Sequence, residues 1–198
     1  MSSDPEPTRL RILEAARVEF AANGLAGARI DRIARTAAAS KERLYAYYRA
    51  KDELFSAVLE LNLLEFAQAM EPGELPGEES LSALAGALFD HTIRHPEHLR
   101  MIDWARLEGQ TALVPSSEIV GSFHQTQANR VRAMQANGSV DAGWDPDVLS
   151  TLIFGVVSAW VHDPAATLGG HQPPTAVELC ERRDAVVRAV DRLVRPAG

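Results

Sequence analysis

The first quarter of the chain constrains its fold more than any other part, because its apolar residues follow the period of an α-helix and are interrupted by two sharp breaks. Within residues 8–54, a first helix is predicted to end at Gly24, a residue suited to the left-handed conformation that often closes a helix. The apolar side of this helix comprises Ile12, Leu13, Ala16 and Phe20.

A second, short helix is predicted next, with its inward-facing residues at Ile30, Ile33 and Ala34. After a tight turn at residues 37–39, Ser40 is expected to cap a third helix that runs through Leu44 to about residue 48. A small residue where two helices touch, a tight turn and an apolar anchor beneath the second helix together make a helix-turn-helix unit. We therefore predict that unit here.

The same segment resembles the TetR/AcrR family of one-component transcriptional regulators. The matching residues cover about the first quarter of the chain and are specific as a set: Ile12-Leu13-x-Ala15-Ala16, Phe20, Gly24, Ile33-Ala34, Ser40-Lys41, Leu44-Tyr45-x-Tyr47-Tyr48 and Lys51-x-x-Leu54. The resemblance implies an all-α protein of about nine helices. It implies a helix-turn-helix DNA-binding domain at residues 1–52 and a helical ligand-binding and dimerisation domain at residues 53–198.

The chain departs from the family pattern at two positions. The second helix of the family usually opens with a threonine that caps it and meets a DNA phosphate, whereas this chain has Ala28 followed by Arg29. The turn usually holds glycine, and here it is Ala38. A left-handed alanine costs about 1–2 kcal/mol, so the turn is expected to be less stable. Arg29 is expected to supply a longer, charged phosphate contact.

The third helix is expected to enter the major groove of DNA, as the resemblance implies. The residues predicted to contact DNA are Arg29, Ala39, Ser40, Lys41, Glu42, Arg43, Tyr45, Ala46, Tyr47 and Lys51. Arg43 is the first choice for a base-edge contact, since arginine can bind guanine O6 and N7 together. Glu42 either accepts a hydrogen bond from a cytosine amine or pairs with an arginine.

Three of these residues have a purely structural alternative. Tyr45, Tyr47 and Lys51 correspond to family positions that contact phosphates. The tyrosines could instead pack with their hydroxyls in water, and Lys51 could be a solvated helix start. For Tyr48 we favour packing alone.

Charge is divided unevenly along the chain. The whole protein carries −7, but residues 1–51 hold ten basic and six acidic residues, a balance of +4, whereas the remainder carries −11. The field near the phosphates matters more than the total charge, so this division favours DNA contact through the N-terminal segment.

The rest of the chain reads as six further helices separated by proline and glycine. They are predicted at residues 51–70, 80–95, 96–107, 116–137, 146–163 and 175–194, with a loop at residues 71–79. The last two helices are apolar on more than one side, which suits either a central core helix or packing against a second copy of the chain. The predicted dimer interface comprises Leu149, Ile153, Val156, Trp160, Leu179, Val186, Val190 and Leu193.

A small-molecule cavity in the second domain is implied by the resemblance. Candidate lining residues are Phe66, Phe89, His91, Met101, Trp104, Phe123, Gln127 and Phe154, although each aromatic could equally be plain core. His91 and His95 stand one helical turn apart, the spacing of two metal ligands, with His98 and Glu97 nearby. Because Pro96 redirects the chain after His95, we predict no metal site and no cofactor.

The sequence thus predicts a homodimeric repressor that binds a palindromic operator in double-stranded DNA and leaves it when a small-molecule effector binds. No nucleophile, phosphate-loop or paired-carboxylate motif indicates an enzyme. The alternative is a helical ligand- or metal-sensing protein with a degenerate head. No run of about 20 apolar residues indicates a membrane span, and the single cysteine, Cys180, expected to be buried, suits a cytoplasmic location.

Overall fold

The computed structural model describes residues 5–68, 80–110, 118–163 and 173–196. Those residues form nine α-helices and no strand, as the sequence predicts. The helices are α1 (Pro5–Gly27), α2 (Ile30–Thr36), α3 (Lys41–Tyr47), α4 (Lys51–Gln68), α5 (Leu81–Arg94), α6 (Pro96–Leu107), α7 (Glu118–Ala136), α8 (Pro146–Ser158) and α9 (Ala176–Val194). The loop predicted at residues 71–79 lies outside the described residues. No described helix is long and apolar enough to cross a membrane.

The chain divides into two compact units that differ from the two predicted domains. The first unit comprises residues 1–66 and 95–120, and the second comprises residues 67–94 and 121–198. The boundary predicted after residue 52 falls at the start of α4, whereas the first unit includes most of α4 and all of α6. The reason is that α6 packs along α1, a contact between residues about 80 positions apart.

The first unit has one apolar core built from α1, α2, α3, α4 and α6. Its largest fully buried side chains include Phe20 and Phe55, whose rings meet edge to face at 5.0 Å. Ile12, Ile33 and Leu44 are also fully buried, so the predicted inward faces of the first three helices are confirmed. Met101 of α6 belongs to the same core.

The first helix is broken at Gly24, as predicted, but it does not stop there. Gly24 has φ 66° and ψ −177°, and one further helical turn follows to Gly27. A break of this kind exposes new backbone N–H groups that need acceptors. The carboxylate of Glu108, at the end of α6, accepts from Leu25 N at 2.8 Å and from Ala26 N at 3.2 Å.

The indole of Trp104 fills the space beside the break. Its Nε1 donates to the carbonyl of Ala21 at 3.2 Å, and its ring lies against Gly24. A Cβ on Gly24 would lie 2.5 Å from Glu108 Oε1 and 2.7 Å from the indole, too close for either group to stay in place. Glycine is therefore needed here both for its backbone angles and for the absence of a side chain.

We expect Gly24→Ala to lower the free energy of unfolding by roughly 2–5 kcal/mol, because backbone strain adds to overpacking. Gly109→Ala is a matched control, since Gly109 also has positive φ, 67°, but nothing lies within 4 Å of its Cβ position. The control should lose only about 1–2 kcal/mol. Chemical denaturation measures both, and equal losses would contradict the packing role assigned to Gly24.

The second unit is organised around α5, α8 and α9, and polar groups fix the helix ends as predicted. Asp145 accepts from the first backbone N–H groups of α8, and Thr175 forms a capping box with Glu178 at the start of α9. Gly86 of α5 lets Arg183 of α9 approach closely, and Arg183 Nε donates to Asp90 Oδ2 at 2.8 Å.

The residues of the predicted dimer interface differ in burial. Leu149, Ile153, Val186 and Val190 are buried within one protomer. The other four, Val156, Trp160, Leu179 and Leu193, are half-buried. The helical period revealed two apolar stripes on α8, but nothing in it said which stripe faces the protomer's own core. Cys180 is exposed, so the expectation that it is buried is wrong.

Candidate nucleic-acid interface

The turn between α2 and α3 has the tight geometry that the sequence predicts. Ala38 adopts a positive φ of 49°, the only such non-glycine residue in the described part of the chain. The turn is closed by Ala37 N donating to Ile33 O at 2.9 Å and by Ala39 N donating to Ala34 O at 3.0 Å. The departure from glycine at Ala38 therefore leaves the turn closed and strained rather than open.

The third helix begins with the predicted cap. The Ser40 hydroxyl accepts from Arg43 N at 3.1 Å, and Leu44 anchors the helix in the core. Tyr48 ends the helix and is buried, as expected for a packing role. The orientation of α3 is thus fixed at its start, its middle and its end.

The exposed side of α3 carries most of the predicted DNA-contacting residues. Lys41, Glu42, Arg43, Tyr45 and Ala46 are exposed together with Ser40, whereas Ala39 and Tyr47 are half-buried.

Two of the charged side chains on α3 are already engaged. Lys41 pairs with Asp31 of α2, and the hydrogen bond and charge of that carboxylate raise the pKa of Lys41. Hydrogen bonds from its own backbone N–H and from Ser40 lower the pKa of Glu42, which is therefore ionised at neutral pH.

The start of α2 is stabilised by a carboxylate from another helix. Arg29 occupies the N-cap position with no side-chain cap of its own. The buried Glu19 of α1 accepts from Arg29 N at 2.9 Å and also pairs with Arg32 Nε at 3.0 Å. Arg29 is the N-cap and Arg32 is the third helical residue, the two positions that a capping box joins directly. Here Glu19 contacts both of them instead. The capping hydroxyl that the N-cap position lacks is thereby compensated.

We expect Glu19→Ala to destabilise the first unit by about 1.5–3 kcal/mol, because it removes hydrogen bonds to a charged, buried acceptor. Adding Arg29→Thr in the same chain should restore about 1 kcal/mol, because a hydroxyl at the N-cap accepts from an N–H group in the first turn of α2 and stabilises the same helix start. Thermal denaturation of both variants tests this. A double variant no more stable than Glu19→Ala would show that Glu19 does not act through the start of α2.

Lys51 has a structural role that the sequence did not predict. Its Nζ donates to the carbonyls of Ala26 and Ala28 at 3.3 and 3.2 Å. A lysine at the end of a helix satisfies the terminal carbonyls that lack a partner, and Lys51 does this for α1 from the start of α4. Lys51 therefore ties two elements of the first unit together, and one ammonium N–H is left over for another acceptor.

Comparison with known proteins agrees with this geometry. Residues 12–58 match the family model of bacterial regulatory proteins of the tetR family, and residues 80–192 match the tetracyclin repressor-like C-terminal domain. The chain belongs to the TetR family. It is a DNA-binding transcriptional regulator, as the sequence predicts.

Two relatives from Streptomyces coelicolor resemble this TetR-family regulator over most of its length. The HTH-type transcriptional repressor SCO4008 is 40% identical over 153 residues, which is 76% of this chain and 77% of that protein. The crystal structure of SCO4942 superposes with a TM-score of 0.75 at 35% identity, covering 94% of this chain and 98% of that one. The HTH-type transcriptional repressor NicS of Pseudomonas putida is 34% identical over 98 residues, covering 48% of this chain and 46% of that protein.

The predicted pocket residues of this TetR-family protein are divided between the two units. Phe66, Met101 and Trp104 lie in the first unit, where Met101 is core and Trp104 packs on the break in α1. Phe89, His91, Gln127 and Phe154 lie in the second, where Phe89, His91 and Gln127 are buried and Phe154 is exposed. The side chain of Phe123 lies outside the described residues.

Sequence reasoning missed three residues that hold the DNA-binding head in shape: Glu19, Arg32 and Glu108. Glu19 and Glu108 accept hydrogen bonds from backbone N–H groups of other elements, and Arg32 pairs with Glu19 of a neighbouring helix. The signals available were a helix start without its usual cap and a helix break without an acceptor. Both indicate that some carboxylate is needed, but neither says which.

Proposed function

We propose that this protein is a homodimeric repressor that inserts α3 into the major groove at two half-sites of a palindromic operator. The observation that carries the proposal is the exposed row of residues on α3, held in one orientation by the Ser40 cap, the Leu44 anchor and the closed turn. A fixed recognition helix reads sequence because its side chains meet base edges in a constant register.

Arg43 is the residue we assign to base recognition. It lies in the first turn of α3, the part of a recognition helix that reaches furthest into the groove. Lys41, also in the first turn of α3, is paired with Asp31. Its ammonium is therefore less suited to a phosphate of the DNA backbone. Tyr45 is 47% exposed and presents a hydroxyl suited to a phosphate oxygen. Arg29, exposed at the start of α2, is suited to a neighbouring phosphate.

We expect Arg43→Ala to relax sequence preference at one base pair of each half-site, because a bidentate arginine–guanine contact contributes about 1–3 kcal/mol of discrimination. Selection of bound sequences from a random DNA pool, carried out for the parent and the variant, measures this. The charge-matched control is Arg188→Ala, which removes one exposed cation from α9, in the second unit.

The control variant should select the parent sequence, and its affinity should fall with salt as steeply as that of the parent. An unchanged consensus for Arg43→Ala would contradict the base-reading role. Binding by the parent that is weak at low salt and insensitive to salt would contradict the proposal of a DNA-binding repressor altogether.

Dimerisation through α8 and α9 is supported by apolar residues that their own protomer leaves exposed. Val148 and Leu152, one turn apart on α8, are 50% and 41% exposed, and Val177 of α9 is 68% exposed. Gly155 continues the α8 stripe and has open space beside it. We therefore assign the interface to this stripe rather than to Leu149 and Ile153, which the protomer buries.

We expect Leu152→Glu to weaken the dimer about tenfold or more, because the interface would have to bury an unpaired carboxylate. Leu107→Glu is the control, since Leu107 is apolar and 75% exposed but lies at the end of α6. Sedimentation equilibrium separates the two variants. A parent protein that sediments as a monomer would reject the dimer, and equal effects of the two substitutions would reject the assigned stripe.

Release from the operator by a small molecule is supported by the way α6 meets the DNA-binding head. The C-terminal region matched by its family model includes α6, and α6 holds α1 through Glu108 and Trp104. A ligand that favours a different position of α6 would therefore act on α1 directly. The change in operator affinity can be no larger than the difference in the ligand's affinity for the two arrangements.

Repression, rather than activation, is the proposed sign of regulation because the relatives SCO4008 and NicS are both named as transcriptional repressors.

A further inference from the structure

A cluster of histidines and carboxylates in the first unit takes no part in the proposed DNA contact. It is formed by His95, Glu97 and His98 at the start of α6 and by Glu65 near the end of α4. The donor atoms of the three α6 residues all lie within 4.8 Å of one another. We propose that this cluster binds one divalent transition-metal ion of the zinc class, with Glu65 as the fourth ligand.

Three of the separations between donor atoms are close to those expected around a tetrahedral ion. Bonds of about 2.0–2.1 Å to nitrogen and oxygen place neighbouring ligand atoms roughly 3.3 Å apart. His95 Nδ1 lies 3.3 Å from Glu97 Oε1, and His98 Nε2 lies 3.2 Å from Glu65 Oε2. His98 Nε2 and Glu97 Oε1 are 3.9 Å apart, so these three separations link the four atoms in an open chain.

The backbone at the start of α6 explains why the two histidines meet. Pro96 begins the helix, and His95 precedes it in a non-helical conformation with φ −127° and ψ 60°. The turn brings the His95 ring to within 5.1 Å of the His98 ring, nearly parallel at 16°. Pro96, which in the sequence argued against a metal site, is the residue whose turn assembles it.

Neighbouring groups orient one carboxylate ligand and balance the charge. Arg17 of α1 donates to Glu65 Oε1 at 2.8 Å, which leaves Oε2 directed at His98. Hydrogen bonds of this kind to a ligating carboxylate are typical of metal sites. The positive end of α6 and the Arg17 guanidinium disfavour a cation, but Glu65 and Glu97 carry two negative charges, and Glu14 lies 3.6 Å from Arg17.

The cluster is only partly buried, as a site that an ion enters from solvent must be. The His98 side chain is 5% exposed, whereas those of His95, Glu97 and Glu65 are between 26% and 38% exposed. One ligand is therefore anchored in the protein while the others border solvent. Two imidazoles and two carboxylates favour zinc and its neighbours over magnesium and calcium, which take oxygen ligands alone.

The test uses the untagged full chain, stripped with a chelator and titrated with Zn²⁺ by calorimetry. We expect one Zn²⁺ per chain, unaffected by excess Mg²⁺. Co²⁺, added in its place, should give the visible absorption of a tetrahedral complex and lose it when Zn²⁺ is added. Zn²⁺ should also raise the thermal transition of the protein, since a ligand that binds only the folded state stabilises it.

Variants identify the ligands without disturbing the buried His98. His95→Gln and Glu97→Gln alter half-exposed side chains and should each weaken Zn²⁺ binding about tenfold or more, as should Glu65→Gln. His162→Gln is the control, since His162 is exposed in the second unit and should bind as the parent does. Circular dichroism confirms that each variant is folded.

Three results would overturn the proposal: no stoichiometric binding, parent-like affinity in His95→Gln or Glu65→Gln, or an equal loss in His162→Gln. Any of them would leave the cluster as hydrogen-bonded ion pairs only. None of these measurements involves DNA, so their outcome is independent of the operator experiments.

Discussion

The packing of α6 against the broken end of α1 is the contact on which the rest of the first unit depends. Gly24 breaks α1, and Glu108 accepts hydrogen bonds from the two N–H groups that the break exposes. Trp104 packs beside the break. Without a side chain at residue 24, the carboxylate and the indole can lie directly on the backbone. The direction of the last turn of α1 follows from this contact, and that turn leads into the helix-turn-helix.

Long-range carboxylates perform the work that local capping residues do in other helices. Glu108 caps the break in α1, and Glu19 serves the start of α2 through Arg29 and Arg32. Lys51, a donor rather than an acceptor, donates to backbone carbonyls at the end of α1. A head held by such contacts is sensitive to the position of its neighbours, because each contact is lost when one helix shifts by about an ångström. This sensitivity is what the proposed release from the operator requires.

Prediction from sequence succeeded where the evidence was local, and it missed contacts between distant residues. The Ser40 cap, the left-handed Ala38, the Thr175 capping box and the starts of α6 and α8 each depend on a few adjacent residues, and all are confirmed. The sequence could not decide which apolar stripe of α8 faces a partner, because helical periodicity reports that two faces are apolar without reporting which one the protomer covers. The contacts of Lys51 with Ala26 and Ala28 were not predicted because these residues lie more than 20 positions away.

The sequence by itself determined the family, the all-α class and the recognition helix, since these follow from residue spacing within single helices and their turns. Only the tertiary structure decided that α6 belongs with the DNA-binding head, that Glu19 replaces a missing cap, and that Glu65 faces His98. The physical reason is the same in each case. Hydrogen bonds and close ion pairs act over about 3 Å, and the chain brings together residues separated by tens of positions only when its helices have packed.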